Sequence, residues 1–325
     1  MSQSPATGTR PTSLVRTLWA WLPSHAMDRR IGLFAWLSAA AELLIIATGG
    51  AVRLTGSGLG CPTWPTCTAE SIVNTPEMGI HGVIEFGNRT LTGLVGILAV
   101  VVLLLVLRIR RERRDLFVLA AIVLGGVVAQ ALVGGVTVLT GLNPFIVGFH
   151  YVASVILVAV CAAFLARRVE PAGPRERAVP KAFAILTHVT TLVLAVTIVF
   201  GVLTTGAGPH SGDAASVRNG FDAQLLEHVH AWPGYALLAL TVALTIAAWR
   251  GALPVRRWIT ALLLVELVQI GVGLYQARNG LPELAVGVHM VLAAVTAALM
   301  VVVVLRLKRV RVARSATAEQ ESLAV

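Results

Sequence analysis

Three histidines with potential metal chemistry stand inside long apolar stretches of this 325-residue chain: His150, His230 and His289. An ionisable side chain is costly inside a membrane, so such a residue is a functional candidate by default. Two imidazoles that face each other across a helix bundle could fill both axial positions of a haem iron, an arrangement suited to electron transfer. The alternatives are a buried, hydrogen-bonded histidine pair and a zinc site, although no third or fourth ligand lies at the same level.

The segment IEFGNR carries a second group of polar residues, in the first half of the chain. Glu85 and Asn88 are one helical turn apart and share a helix face. An amide is a poor ligand for haem iron, so a haem between Asn88 and His150 has an open axial position or takes another ligand, with His81 as the alternative. An open position beside a carboxylate suits catalysis, in which Glu85 moves protons or stabilises a cationic intermediate. The alternative is that Glu85 only forms an ion pair with Arg89.

The composition indicates which class of protein must position these side chains. Hydrophobic residues make up 56% of the chain and charged residues 13%, whereas roughly 25% of residues are charged in soluble domains. The net charge of +10 and a pI near 10.9 would suggest a nucleic-acid partner, but the mean hydropathy of +0.81 argues against one. A chain this apolar is also not disordered. We therefore predict a polytopic membrane protein that binds no nucleic acid.

Eight apolar stretches are long enough for transmembrane helices, which need about 20 residues each. Helices are expected because the backbone must satisfy its own hydrogen bonds in lipid, so the predicted fold class is all-α. The polar, basic start of the chain lacks the pattern of a cleaved signal peptide. The predicted spans are 32–52, 82–107, 116–139, 147–166, 182–204, 225–248, 258–276 and 285–305.

The distribution of basic residues predicts the orientation of these helices. All but four of the 26 Lys and Arg residues lie on the side of the predicted membrane that holds both chain termini. Because basic loops stay in the cytoplasm, we predict a multi-pass protein of the cell membrane with both termini cytoplasmic. The three histidines then lie early in helices that start at the external face, within roughly 10 Å of the outer boundary at about 1.5 Å per residue.

The second half of the chain repeats the first. The segment QALVGGVTVLTGLNPFIVGFH ends at His150 and QIGVGLYQARNGLPELAVGVH ends at His289, with four spaced identities at a constant offset of 139 residues. TGSGLG matches TGAGPH, and IEFGNR matches LEHVHA, which places Asn88 opposite His230. Four helices per repeat give both halves the same orientation in the membrane, related by a pseudo-twofold axis along its normal.

This repeat divides the chain into two similar four-helix bundles, each with a site between its helices. Short basic segments flank and join the two bundles. We predict a cytoplasmic tail (1–31), an N-terminal half (32–168), a cytoplasmic linker (169–181), a C-terminal half (182–309) and a second cytoplasmic tail (310–325).

Two of the three cysteines lie in the first external loop. Cys61 and Cys67 occur as CPTWPTC. A disulfide suits this position because the outer compartment is oxidising, and a metal site is the alternative. Cys161 lies inside a predicted helix, where a thiol acts as a small apolar side chain.

The motifs GGAVRLTGSGLGCPTWPTC, IEFGNR and TGAGPHSGD, together with the order and spacing of His150, His230 and His289, resemble the heme A synthase family of bacterial type. The resemblance extends over residues 32–305. It implies eight helices in two similar halves and a membrane oxidoreductase. Such an enzyme oxidises a ring methyl of heme O to a formyl group, which yields heme A for cytochrome oxidase biogenesis.

The resemblance also implies roles for individual residues. A heme b, with its iron, would lie in the C-terminal half, and the heme O substrate would lie in the N-terminal half. Glu85 matches the family's functionally important glutamate, and the external cysteine pair is matched as well. The implied site residues are His230 and His289 as ligands of heme b, His150, Asn88 and Arg89 at the substrate with His150 near its iron, Glu85 in catalysis, and Cys61 and Cys67 in a disulfide.

Two features depart from the family pattern. Asn88 stands where the family often has a histidine, and the loop PHSGDAASVRNGFDAQ lacks a second cysteine pair. We interpret both as variation within the family. Membrane lipid, a heme O synthase, an electron donor and further copies of the chain are the expected partners. The competing hypotheses are a non-catalytic cytochrome b that relays electrons from quinol and a transporter built from parallel repeats.

Overall fold

The computed structural model describes residues 19–311, and eight helices in this range are long and apolar enough to cross a membrane. The protein is therefore a multi-pass, all-α membrane protein, as predicted. Every helix begins and ends within three residues of its predicted span, whereas residues 1–18 and 312–325 of the predicted tails lie outside the described residues. The helices are α1 (Arg29–Leu54), α2 (Gly79–Val106), α3 (Arg114–Leu139), α4 (Pro144–Arg168), α5 (Lys181–Ala207), α6 (Ala223–Arg250), α7 (Arg256–Arg278) and α8 (Glu283–Arg306).

Local side-chain caps set where three of the helices begin. The Asp28 carboxylate accepts a hydrogen bond from the backbone N–H of Arg30 (2.9 Å) at the start of α1. The Asn143 side chain accepts one from Phe145 N–H (3.0 Å) before α4, and Asp222 caps α6 in the same manner. These caps satisfy backbone donors that have no partner within the first helical turn.

The α3–α4 and α7–α8 turns have the same conformation at matching positions of the two halves. In each turn a Gly-Leu pair has positive φ, at 62° and 61° for Gly141 and Leu142 and at 73° and 59° for Gly280 and Leu281. Glycine adopts this conformation readily, whereas leucine does so rarely. Each leucine N–H donates to a carbonyl of the preceding helix, at 2.8 and 2.9 Å. The turns are therefore related by the 139-residue offset of the sequence repeat.

The eight helices pack as two four-membered rings. Helices α1 to α4 contact one another in sequence and close through α1 and α4, and helices α5 to α8 close through α5 and α8. We call these rings the first and the second bundle. They meet along α4 and α8, with further contacts of α1 with α8 and of α4 with α5. Exchange of the two halves swaps these last two contacts, as a twofold relation requires.

The contact between the bundles uses residues that correspond in the repeat. The Tyr151 hydroxyl on α4 donates to the carbonyl of Met290 on α8 (2.8 Å), and these positions are also 139 residues apart. Gly148 on α4 lies directly against Val202 of α5. Its equivalent Gly287 on α8 lies against Leu54 of α1. Small residues thus allow close helix contact on both sides of the central α4–α8 pair.

The largest buried side chains lie away from the end of the molecule at which α1 ends and α2 begins, which we call the outer end. The core of the second bundle includes Leu244, Ile259 and Val303 in the opposite, inner half of its helices. The first bundle has a matching inner core that includes Val106 and Leu116. Within the described residues, the outer third of each bundle holds histidines and glycines instead. The core therefore fixes the helices and leaves the outer third for a site.

A small sheet joins the two halves at the inner end. Strands β1 (Arg175–Arg177) and β2 (Lys308–Val310) pair antiparallel, with Glu176 opposite Arg309. The Glu170 carboxylate, after α4, pairs with Arg175 of β1 and with Arg306 at the end of α8. The segment predicted as a linker is therefore tied to the end of the second bundle.

Candidate functional site

His230 and His289 face each other in the outer third of the second bundle. Their ring centroids are 6.2 Å apart and their planes are inclined at 81°. A metal held between two imidazole nitrogens by bonds of about 2.0 Å would separate the ring centroids by roughly 6 Å. The structure thus brings together the two residues that the sequence predicted as a ligand pair, at a separation that fits an iron between them.

Polar contacts orient the histidine on each side of this pair. His230 Nδ1 lies 3.0 Å from the carbonyl oxygen of Thr197 on α5, which leaves Nε2 as the free ring nitrogen. Gln269 on α7 donates its side-chain N–H to the carbonyl of His289 (3.1 Å). The buried Nδ1 of His289 has no hydrogen-bond partner among residues 19–311. A ligand histidine normally donates its second ring N–H to an acceptor, as His230 can to Thr197, whereas the Gln269 contact holds the backbone of His289.

Two glycines make room for the imidazole rings. A Cβ atom on Gly201 of α5 would lie 2.8 Å from Cε1 of His230, and one on Gly273 of α7 would lie 3.1 Å from Cε1 of His289. Within the described part of the chain, no group of three or more His, Cys, Asp or Glu residues could hold a metal ion. The pair is therefore two ligands short of a structural zinc site and fits a haem, whose porphyrin supplies the other ligands.

The first bundle reproduces one side of this site at an offset of 139 residues. Gln130 on α3 donates to the carbonyl of His150 (2.7 Å) and to the hydroxyl of Ser154 (2.6 Å). A Cβ atom on Gly134 would lie 3.4 Å from Cε1 of His150. His150 Nδ1 is buried without a hydrogen-bond partner in the described residues, as is Nδ1 of His289. His150 therefore has the same surroundings as His289 of the second bundle.

The position opposite His150 in the repeat lacks an imidazole. The side-chain oxygen of Asn88 accepts a hydrogen bond from the Thr48 hydroxyl of α1 (2.7 Å), whereas His230 contacts a backbone carbonyl of α5. His81 is exposed at the third residue of α2 and lies 2.9 Å from the Ser57 hydroxyl, through Nδ1. The structure thus places His81 at the outer end of α2.

Buried Glu85 and half-buried Arg89 form an ion pair, the arrangement predicted as the alternative to a catalytic role of Glu85. The Arg89 guanidinium lies 2.5 Å from one Glu85 oxygen, and Glu85 is only 4% exposed. The other oxygen accepts the backbone N–H of Cys61 (2.6 Å). Arg89 also donates to the carbonyls of Cys61 (2.8 Å), Thr63 (2.9 Å) and Thr66 (3.2 Å). The pair therefore clamps the external loop 61–67 onto α2.

This loop carries a residue that the sequence analysis missed. Cys61 and Cys67 form a disulfide, and both are fully buried. Between them, the Trp64 ring lies directly against Gly135 of α3, the neighbour of Gly134 beside His150. The sequence shows an aromatic residue in a short, cysteine-bounded loop and a Gly-Gly pair on α3. The contact between them could not be predicted without the fold.

The corresponding loop of the second half makes different contacts. Arg53 at the end of α1 donates to the carbonyls of His210 (2.8 Å) and Thr205 (2.9 Å). His210 Nε2 lies 2.9 Å from the Leu281 carbonyl in the α7–α8 turn. The second-half loop therefore joins the outer ends of the two bundles, whereas the first-half loop covers α2 and α3.

Comparisons with known proteins place the chain in a family. Three relatives, each named heme A synthase, match it: one of Lysinibacillus sphaericus with 33% identity over 132 residues, one of Geobacillus kaustophilus with 31% over 133 and one of Bacillus cereus with 34% over 125. These matches cover 40%, 40% and 37% of the chain and 42%, 41% and 40% of the relatives, so the chain spans about two fifths of the relatives' length.

A family model described as cytochrome oxidase assembly protein matches residues 32–210, which is more than half of the chain. The matched range includes α1 from residue 32 onwards, the rest of the first bundle, the loop 61–67 and α5. It thus agrees with the family predicted from the motifs. The chain belongs to the cytochrome oxidase assembly protein family COX15-CtaA.

Proposed function

We propose that this protein is a heme A synthase, a membrane oxidoreductase that oxidises a ring methyl of heme O to a formyl group. The observation that carries the proposal is the difference between two otherwise matching sites. His150 and His289 share a glutamine contact and a nearby glycine, but only His289 faces a second histidine. In the second bundle two histidines would hold the haem iron, whereas in the first bundle His150 alone would lie near it and leave it accessible for chemistry.

The second bundle holds the resident cofactor in this proposal. His230 and His289 would bind heme b, which supplies reversible one-electron transfer when bound. Thr197 fixes the ring orientation of His230, and Gln269 fixes the backbone of His289. The glycines at 201 and 273 keep space around both rings. The chain's contribution is thus to hold two imidazoles at a fixed separation.

The first bundle binds the heme O substrate in this proposal. His150 would lie near the substrate iron, with Asn88 and Arg89 beside the substrate. Oxidation of the methyl group to the formyl group consumes one water and releases four protons and four electrons, with water as the source of the formyl oxygen through a hydrated intermediate. The four electrons would pass by way of the second bundle to an external electron acceptor. Glu85 would accept protons as the catalytic carboxylate, positioned by Arg89 and by the N–H of Cys61.

The test is to produce the chain together with a heme O source and to analyse the extracted haems. We expect hydroxylated heme O and heme A. The absence of both products, with folded protein present, would reject the enzyme. A cytochrome b relay would leave heme O unchanged, and a transporter would show no Soret absorption. As a matched control, Glu85→Gln should stop conversion and leave the low-spin spectrum of the second bundle intact.

The orientation and partners extend the same proposal. Basic residues concentrate at the inner end, so we infer that this end and both termini face the cytoplasm of the cell and that both sites lie in the outer half of the membrane. The division at residues 32–168 and 182–309 follows the two bundles. A heme O synthase would deliver the substrate, and an electron-transfer partner, the lipid and further copies of the chain would contact the surface.

A further inference from the structure

Glu266 is a buried acid in the middle of α7 that the proposed reaction does not use. It is 3% exposed, and its Oε1 accepts a hydrogen bond from the Thr241 hydroxyl of α6 (3.0 Å). Its Oε2 is buried and has no hydrogen-bond partner among the described residues. A carboxylate in an apolar bundle is costly unless its charge is compensated. Glu266 therefore needs either a compensating charge or a bound proton.

Three threonines lie at the same depth as Glu266, one on each of the other helices of the second bundle. Thr190, Thr241 and Thr296 are at most 2% exposed. Each of the four residues lies nine or ten positions from the inner end of its helix. They form a polar layer through the centre of the second bundle. The first bundle has Val127 at the position equivalent to Glu266.

The charged groups of neighbouring helices do not reach this layer. On α7 and on the two helices packed against it, every titratable residue lies at least six positions along its helix from the layer. His188 on α5 is exposed. The residues concerned are Arg256, Arg257, Tyr275 and Arg278 on α7, Glu227, His228, His230, Tyr235 and Arg250 on α6, and Glu283, His289 and Arg306 on α8.

A line of polar atoms leads from Glu266 to the histidine pair. Gln269 is one turn further along the same face of α7, and its buried Oε1 has no hydrogen-bond partner in the described residues. Its Nε2 donates to the carbonyl of His289. Gly273, beside the His289 ring, is two turns beyond Glu266, about 10 Å along the helix at ~1.5 Å per residue. Unpaired buried polar atoms of this kind are usually bridged by ordered water.

We propose that Glu266 is a proton-binding site coupled to electron transfer in the second bundle. The inference rests on the proposed heme b between His230 and His289. When one electron reduces the bound iron from the ferric to the ferrous state, the Glu266 carboxylate takes one proton from water and forms an O–H bond. During turnover, the electron comes from the substrate as the substrate is oxidised. The charge inside the bundle then stays constant, and the proton is released when an external electron acceptor reoxidises the haem.

The size of the coupling between Glu266 and the haem follows from the distance between Glu266 and the histidine pair. At about 10 Å and an effective dielectric constant of about 20, one unit charge changes an equilibrium constant by roughly tenfold. A tenfold change corresponds to about 59 mV for a one-electron couple. The midpoint potential of the haem should therefore fall by this amount as the pH rises through the titration of Glu266. Outside that range the potential should be flat.

The experiment is a potentiometric titration of the purified, haem-containing protein with dithionite at a series of pH values. Glu266→Gln keeps an acceptor for Thr241. In this variant the midpoint potential of the haem should stay, at every pH, at the value that the wild-type protein has at low pH. Glu42→Gln is the matched control, because Glu42 is a buried acid of α1 in the first bundle. This variant should retain the fall in midpoint potential with pH, which we call the step. Thr241→Val removes a hydrogen bond that stabilises the carboxylate, so the step should move to higher pH.

Infrared difference spectra of the reduced and oxidised protein give a second measurement. At a pH inside the step, reduction should produce a protonated-carboxyl C=O band in the wild-type protein and none in Glu266→Gln. A step that persists in Glu266→Gln would overturn the inference and leave the heme b proposal standing. So would a flat potential in the wild-type protein. A protein without low-spin haem would instead reject the heme b site itself.

Discussion

The two bundles present a histidine in the same surroundings and differ in what stands opposite it. His150 and His289 each receive a glutamine hydrogen bond from the neighbouring helix and each lie beside a glycine. His289 faces His230, whereas the repeat places Asn88 opposite His150. A duplicated scaffold can therefore keep the surroundings of one histidine and change what stands opposite it through a single side chain.

The outer loops differ between the bundles as well. In the first bundle, Glu85 and Arg89 hold a disulfide-closed loop against α2, and Trp64 reaches α3. In the second bundle, the loop contacts Arg53 and the α7–α8 turn. The bundle with a single histidine at the proposed site is the one whose loop is held in this way. In the proposed function, the substrate site needs a wall that controls access to it, whereas the heme b site does not.

The largest expected effect separates the two histidines of the repeat. His289→Ala removes one of the two facing imidazoles, so the low-spin haem spectrum should be lost completely. His150→Ala, the matched change in the first bundle, should leave that spectrum intact and abolish heme O conversion. Optical and electron paramagnetic resonance spectra of purified variants provide the measurement. Survival of the low-spin spectrum in both His289→Ala and His230→Ala would refute the ligand assignment.

The next effect should come from making the bundles alike. Asn88→His places an imidazole opposite His150, with the Thr48 side chain of α1 within reach of its ring. We expect a second low-spin haem signal and at least about a tenfold loss of turnover, equivalent to ~1.4 kcal/mol of barrier, because the free axial position closes. Asn88→Ala is the control, since it removes the amide without adding a ligand. An undiminished turnover in Asn88→His would show that the reaction does not need an open position.

The sequence predicted the helices well because membrane spans follow from the length of apolar runs. It also predicted the histidine pair, since a repeat with fixed offsets places His230 and His289 in one layer before any contact is known. The hydrogen bond from Gln130 to the backbone carbonyl of His150 was not predicted, although Gln130 was one of the identities that define the repeat. Matching residues reveal equivalence between the two halves, and only the packed helices show what each residue touches.

Contacts with backbone carbonyls could not be predicted from the sequence. Arg89 donates to three carbonyls of the loop 61–67, and no residue type marks a carbonyl that will point at a guanidinium. The short strands β1 and β2 were not foreseen either, because three-residue strands in basic segments carry no apolar alternation. The ion pair of Glu85 was foreseen as an alternative, and the structure contains it.

A moderate effect should follow from opening the loop clamp of the first bundle. Cys67→Ser breaks the disulfide and leaves in place the Cys61 backbone that contacts Glu85. A short disulfide-closed loop contributes roughly 2 kcal/mol to stability. We therefore expect a lower melting temperature and slower heme O conversion, with an unchanged low-spin spectrum from the second bundle. Cys161→Ala, which removes a free thiol, is the control. A loss of the low-spin spectrum in Cys67→Ser would show that the loop supports both sites equally.

The smallest effect should come from the glutamines that make the two bundles alike. Gln269→Leu removes the hydrogen bond to the His289 carbonyl, and Gln130→Leu removes its twin at His150. One hydrogen bond is worth about 1 kcal/mol, so each change should weaken haem binding roughly fivefold in its own bundle and leave the other unchanged. Haem retention during dilution, followed by the low-spin spectrum for the second bundle and by bound heme O for the first, measures the two effects. Because the Gln130 bond is shorter and is shared with Ser154, Gln130→Leu should have the larger effect of the two. Equal losses in both bundles from either single change would mean that the glutamines act through the α4–α8 contact and not on their own histidines.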